Sequence, residues 1–143
     1  MNARWAVVAL ALGGSPWSLA CVIPGLSHEV AFARDSAVLS ASEVRSLANW
    51  YVDLRQGSLG VHSINVSAYS TRGDAAHAVL TKQRLAAVDQ LMQTLISTDP
   101  RPLETEVLGT NAAKAQAFPE VRISVEPRCA LTRTCCGTDP NLR

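Results

Sequence analysis

Ile64, Val66 and Ala68 alternate with Ser63, Asn65 and Ser67, the period of two that sends successive side chains to opposite faces of a strand and leaves one face for a core. Helical periods flank this strand on both sides. Upstream, Ser40-Ala-Ser-Glu43 has the spacing of a capping box, in which the Ser40 hydroxyl accepts from the Glu43 N–H and the Glu43 carboxylate returns to the N–H of Ser40. Val44, Leu47, Ala48, Tyr51 and Leu54 then recur on one helix face, with Gly57 as the stop. Downstream, Thr71-Arg72-Gly73 reads as a turn and Ala75 to Leu80 as helical. Thr81 reads as the N-cap of a longer helix with Leu85, Val88, Leu91, Met92 and Leu95 inside. Asp99-Pro-Arg-Pro102 ends that helix, because proline cannot continue the ladder. Glu29–Phe32, Leu103–Leu108 and Val121–Val125 supply the remaining strands. The order β-α-β-α-β-β predicts an α+β fold, a mixed sheet with two main helices packed on one face.

The segments outside this body have their own chemistry. Residues 1–20 run from a short basic start through the apolar Trp5–Leu12 to a small-residue exit at Ala20, the layout of an export signal. The apolar run is too short to span a bilayer, which takes about 20 residues. Cleavage has two readings. Ser18-Leu19-Ala20 suits release by a signal peptidase, leaving Cys21 as a disulfide partner, whereas Ser18-Leu19-Ala20-Cys21 is similar to a bacterial lipobox that ends in an acylated Cys21. An acylated Cys21 would anchor a periplasmic lipoprotein to the outer membrane, since stable anchoring needs more than one acyl chain. Residues 21–28 read as a linker, 29–126 as the domain and 127–143 as a tail. The tail holds Cys129, Cys135 and Cys136, whose C-x5-C-C spacing lacks a zinc-ligand pattern and predicts a disulfide from Cys129 to Cys135 or Cys136.

Composition removes several functional classes. A net charge of +1, from 13 Lys+Arg against 12 Asp+Glu, provides no electrostatic footprint for nucleic acid, and 48% hydrophobic residues exclude a disordered chain. There is no G-x-S-x-G, H-E-x-x-H, phosphate-binding glycine loop or G-x-G-x-x-G, so neither an enzyme nor a cofactor or metal is expected. His28 and His62 have no acidic or cysteine neighbour at ligand spacing, and Asn65-Val-Ser67 is a sequon of no consequence in a bacterial export context.

Two motifs carry a resemblance. Phe32-Ala-Arg-Asp-Ser-Ala-Val-Leu39 is similar to Phe-x-x-Asp-Ser-x-x-Leu, and Leu80-Thr-Lys-Gln-Arg-Leu-Ala-Ala-Val88 to Leu-Ser-x-x-Arg-Ala-x-x-Val. In this order they resemble the OmpA-like peptidoglycan-associated domain, over Val30 to Val125. The resemblance implies non-covalent binding of the diaminopimelate stem peptide of peptidoglycan. That zwitterion takes a guanidinium for its carboxylate and a carboxylate for its ammonium. The arginine carries over as Arg84. The family's Gly-x-Thr-Asp falls on Ala68-Tyr69-Ser70-Thr71, so Thr71 stands where the aspartate is expected and Asp74 is a displaced substitute. His77 stands in the place of a usual asparagine, and Phe118-Pro-Glu120 in the place of usual arginines. Losing a charge-assisted contact worth about 1.5 to 3 kcal/mol would weaken binding by roughly one to two decades. The alternative expectation is a module that has lost wall binding and docks an envelope or secretion protein.

Overall fold

The computed structural model describes residues 23, 25–71, 75–110, 121–132 and 135. The elements follow as β1 (Ser27–Val30), α1 (Ala41–Gln56), β2 (Val61–Thr71), α2 (Ala75–Ile96), β3 (Leu103–Thr110), β4 (Val121–Pro127) and α3 (Arg128–Thr132). Among the described residues four strands form one mixed sheet in the order β1-β4-β2-β3, antiparallel except for the parallel β2–β3 pair. The fold is α+β.

Strand alternation decides which face receives the helices. Ile64, Val66 and Ala68 of β2 stand opposite Val125, Ile123 and Val121 of β4, and all six are buried. They share one core with Val30 of β1, Leu47 and Tyr51 of α1, and Val88, Met92 and Ile96 of α2. Both main helices therefore lie on the same face. The opposite face is polar: the Arg122 Nη2 lies 2.9 Å from Glu29 Oε1, and the Ser63 hydroxyl donates to Glu126 Oε2 at 3.0 Å. Ser67, on this face, is nonetheless buried, because β2 is flanked by strands on both sides.

Local chemistry sets the helix starts, with corrections to the sequence expectations. Ser40 is extended at the N-cap of α1 and its hydroxyl accepts from the Glu43 N–H at 3.2 Å. The reciprocal half of the box is absent. Glu43 Oε2 instead accepts from the N–H of Ala31 at 3.3 Å, which ties the helix start to the end of β1. Strand β1 correspondingly occupies Ser27–Val30 rather than Glu29–Phe32, because the chain leaves the sheet at Ala31. Thr81 is not an N-cap. One helix runs from Ala75 to Ile96 with Thr81 buried inside it, since no glycine or proline interrupts that stretch. Its buried face is Thr81, Arg84, Val88, Met92 and Ile96, with Leu85, Leu91 and Leu95 only partly covered. The stripe expected from Leu85 to Leu95 is thus rotated toward the side that carries Arg84.

The remaining strands are longer than expected, β3 by two residues to Thr110 and β4 by two to Pro127. The first residues of the expected tail form α3, closed by a Cys129–Cys135 disulfide with Cα atoms 4.8 Å apart. Cys136 lies outside the described residues, as do the expected signal segment, Cys21, and Phe118-Pro-Glu120. At the other end, the Trp50 indole N–H donates to the Gly25 carbonyl at 2.9 Å and fastens the entering chain to α1. Gly25 has φ +82, a left-handed conformation that suits glycine. Among the described residues no helix is long and apolar enough to cross a membrane.

Candidate functional site

The loop between β1 and α1 is built by its own short-range bonds. Ser36 N–H donates to the Ala33 carbonyl at 3.2 Å, closing a turn, and the Ser36 hydroxyl accepts from the Val38 N–H at 3.1 Å. Asp35 sits inside that turn at φ +54, a left-handed conformation that aspartate tolerates better than most residues. Phe32 precedes the turn and packs against the core. Each marked residue of Phe32-x-x-Asp35-Ser36 thus has a local structural task.

Arg84 joins this loop to α2 from 48 residues away. Its Nε donates to the Ser36 carbonyl at 2.7 Å and its Nη2 to the Ala33 carbonyl at 2.8 Å. The guanidinium carbon lies 5.1 Å from the centre of the Phe32 ring, a cation–π distance. The residue is 3% exposed. Two charge-assisted hydrogen bonds and an aromatic face meet the desolvation cost of burying the charge. Burial draws the Arg84 pKa below the ordinary guanidinium value, and the nearby Asp35 carboxylate acts in the opposite direction. Arg84 as an ordinary solvated surface residue is therefore excluded.

The other expected site residues are distributed as follows. Thr71 is the last residue of β2. His77 stands in the first turn of α2, half-buried, and the seven-residue spacing puts it on the same helix face as Arg84. Along the axis that spacing is about 10 Å. Asp74 lies outside the described residues. The arrangement thus brings Arg84 to the Phe32–Ser36 turn, while Thr71 and His77 stand near the junction of β2 and α2. The partners that the sequence did not name are the carbonyls of Ala33 and Ser36. Only the spacing of the Phe32-x-x-Asp35-Ser36 motif marked that segment, because a backbone acceptor has no residue signature.

Among the described residues no group of three His, Cys, Asp or Glu side chains could hold a metal ion. A separate cavity of about 390 Å³ lies between the entering chain and α1, lined by Leu26, Trp50, Asp53, Leu54 and Leu59 among others. It shares none of the residues of the Arg84 cluster. No protein-family model matches the chain, and no curated protein matches it.

Proposed function

We propose that the chain is an exported cell-envelope module of the OmpA-like kind that binds the diaminopimelate stem peptide of peptidoglycan non-covalently. The observation that supports this reading is the meeting of its two motifs: the guanidinium of the Leu80-to-Val88 motif holds the turn of the Phe32-to-Leu39 motif through Ser36 and Ala33. In this mechanism Arg84 supplies positive potential from a low-dielectric seat and fixes the loop against which a ligand carboxylate is received. Thr71 and His77, near the junction of β2 and α2, are assigned the ammonium end, with Asp74 as the displaced carboxylate that the resemblance implies. With a hydroxyl at position 71 in place of the family's aspartate, binding is weaker than in a site with both charges.

A second reading follows from one specific observation. At 3% exposure, with two N–H directions already given to loop carbonyls, Arg84 acts first as an internal tie. A module of that kind keeps the scaffold and serves as a protein-docking accessory of an envelope complex.

Sedimentation with purified peptidoglycan separates the two, using the wild type, Arg84→Lys and Asp74→Asn, each checked for folding by thermal melting. Wall binding predicts that the wild type pellets and that both variants pellet less while remaining folded. A folded wild type that stays in the supernatant removes the wall-binding reading and leaves the docking one. The anchor is read separately from the intact mass of the mature protein: added lipid mass on Cys21 supports a lipoprotein, and an unmodified Cys21 removes it.

A further inference from the structure

We propose that the outer edge of β3 is a strand-addition site for an extended basic segment of a partner protein, with Lys or Arg alternating with Val or Thr. This edge is the opposite margin of the sheet from β1, and the proposal uses none of the residues assigned to wall binding. Strand β3 pairs with β2 in eight consecutive positions from Leu103 to Thr110 without a register shift. Among the described residues no strand pairs with its other edge. Eight extended residues present about 26 Å of backbone, enough for several ladder hydrogen bonds.

Exposed edges are ordinarily protected by proline, bulges or charged side chains, lysine above all, and β3 has no proline, bulge or lysine between its ends. Its only charges are Glu104 and Glu106. Their partners in β2 are Asn65 and Ser67, which places both carboxylates on the polar face away from the helices. Both are exposed, and neither has an ion-pair partner among the described residues. On the other face Val107, opposite Ala68, is 42% exposed and gives an added strand an apolar contact.

Charge selects the occupant. A second copy of the chain that continued the sheet antiparallel across a two-fold axis would keep its faces on the same sides. Glu104 and Glu106 of one copy would then lie opposite or diagonal to those of the other, and like charges there are destabilising. A segment with basic residues at every second position meets both carboxylates instead, and its intervening Val or Thr side chains meet Thr105 and Val107.

The test uses the full mature protein and a fluorescein-labelled octapeptide, Lys-Thr-Lys-Val-Lys-Thr-Lys-Val, with anisotropy for affinity and amide hydrogen exchange for location. Binding is expected to slow exchange in β3. Glu104→Lys with Glu106→Lys is expected to weaken binding by at least about ten-fold, while the melting temperature stays close to that of the wild type. Equal affinity for a peptide with proline at its two central positions overturns the proposal, because attraction would then be charge alone. Unchanged affinity after the double reversal also overturns it. So does a peptide-free dimer in sedimentation whose β3 amides are protected, which assigns the edge to a second copy.

Discussion

Helices α1 and α2 rest on the same sheet face, yet they bury different chemistry. The fully buried side chains of α1 are Leu47 and Tyr51, whereas α2 buries Val88, Met92 and Ile96 together with Thr81 and Arg84. The difference follows from what each covers. Helix α1 lies beside the short edge strand β1, while α2 packs over β2 and reaches β3 and β4. A helix over the middle of a sheet has little solvent on its inner side, so a charge there must find partners within the protein. Arg84 finds them in the carbonyls of the β1–α1 loop and the ring of Phe32. A polar residue can thus be as much a part of the core as a leucine, provided its hydrogen bonds are made.

The largest expected effect tests that equivalence. Arg84→Ala removes two charge-assisted bonds and strands the Ser36 carbonyl, so it should lower stability by about 4 kcal/mol in urea unfolding. Arg84→Lys should recover part of this, since an ammonium keeps the charge without the planar fork. A loss below about 1 kcal/mol for the alanine variant would return Arg84 to a peripheral role. Leu47→Ala, 1% exposed in the wild type, should cost about 3 kcal/mol through lost transfer energy and the cavity left behind. If it costs much more than Arg84→Ala, the apolar helix dominates after all.

Smaller effects sharpen the account of α1. Ser40→Ala removes the N-cap acceptor for Glu43 and should cost about 1 kcal/mol in thermal unfolding. Tyr51 carries a buried hydroxyl with no hydrogen-bond partner among the described residues. Tyr51→Phe should therefore be neutral or raise stability by up to about 1 kcal/mol. Burial raises the Tyr51 pKa above its ordinary value of 10.0. The unfolded chain therefore gives up this proton first. The stability due to the neutral phenol is fully present below about pH 10 and is lost as pH rises through the folded value. A wild-type stability profile that declines no faster above pH 10 than that of Tyr51→Phe would contradict the assignment.

Legibility in the sequence follows the same division. The stripe of α1, its Ser40 cap and the alternation at Ile64, Val66 and Ala68 could be read because each is a local period or a local bond. The single helix from Ala75 to Ile96 was less legible, because Thr81 has the residue type of a cap and only the unbroken helical backbone shows that it lies inside one helix. The cross-link from Glu43 to Ala31 was equally hidden, since a capping-box spacing does not reveal that another N–H lies within reach.

By itself the sequence determined the order of the elements up to β4, the α+β class, the sheet face that meets the helices and the arginine worth watching, because periods and motifs are properties of neighbours along a chain. Only the tertiary structure decided that Arg84 is buried and that it binds the backbone of a turn 48 residues upstream. It also decided that β3 is the outermost of the described strands on its side, with two exposed carboxylates on one face. Carbonyl acceptors and sheet edges come from chain crossings, and those have no side-chain signature to read.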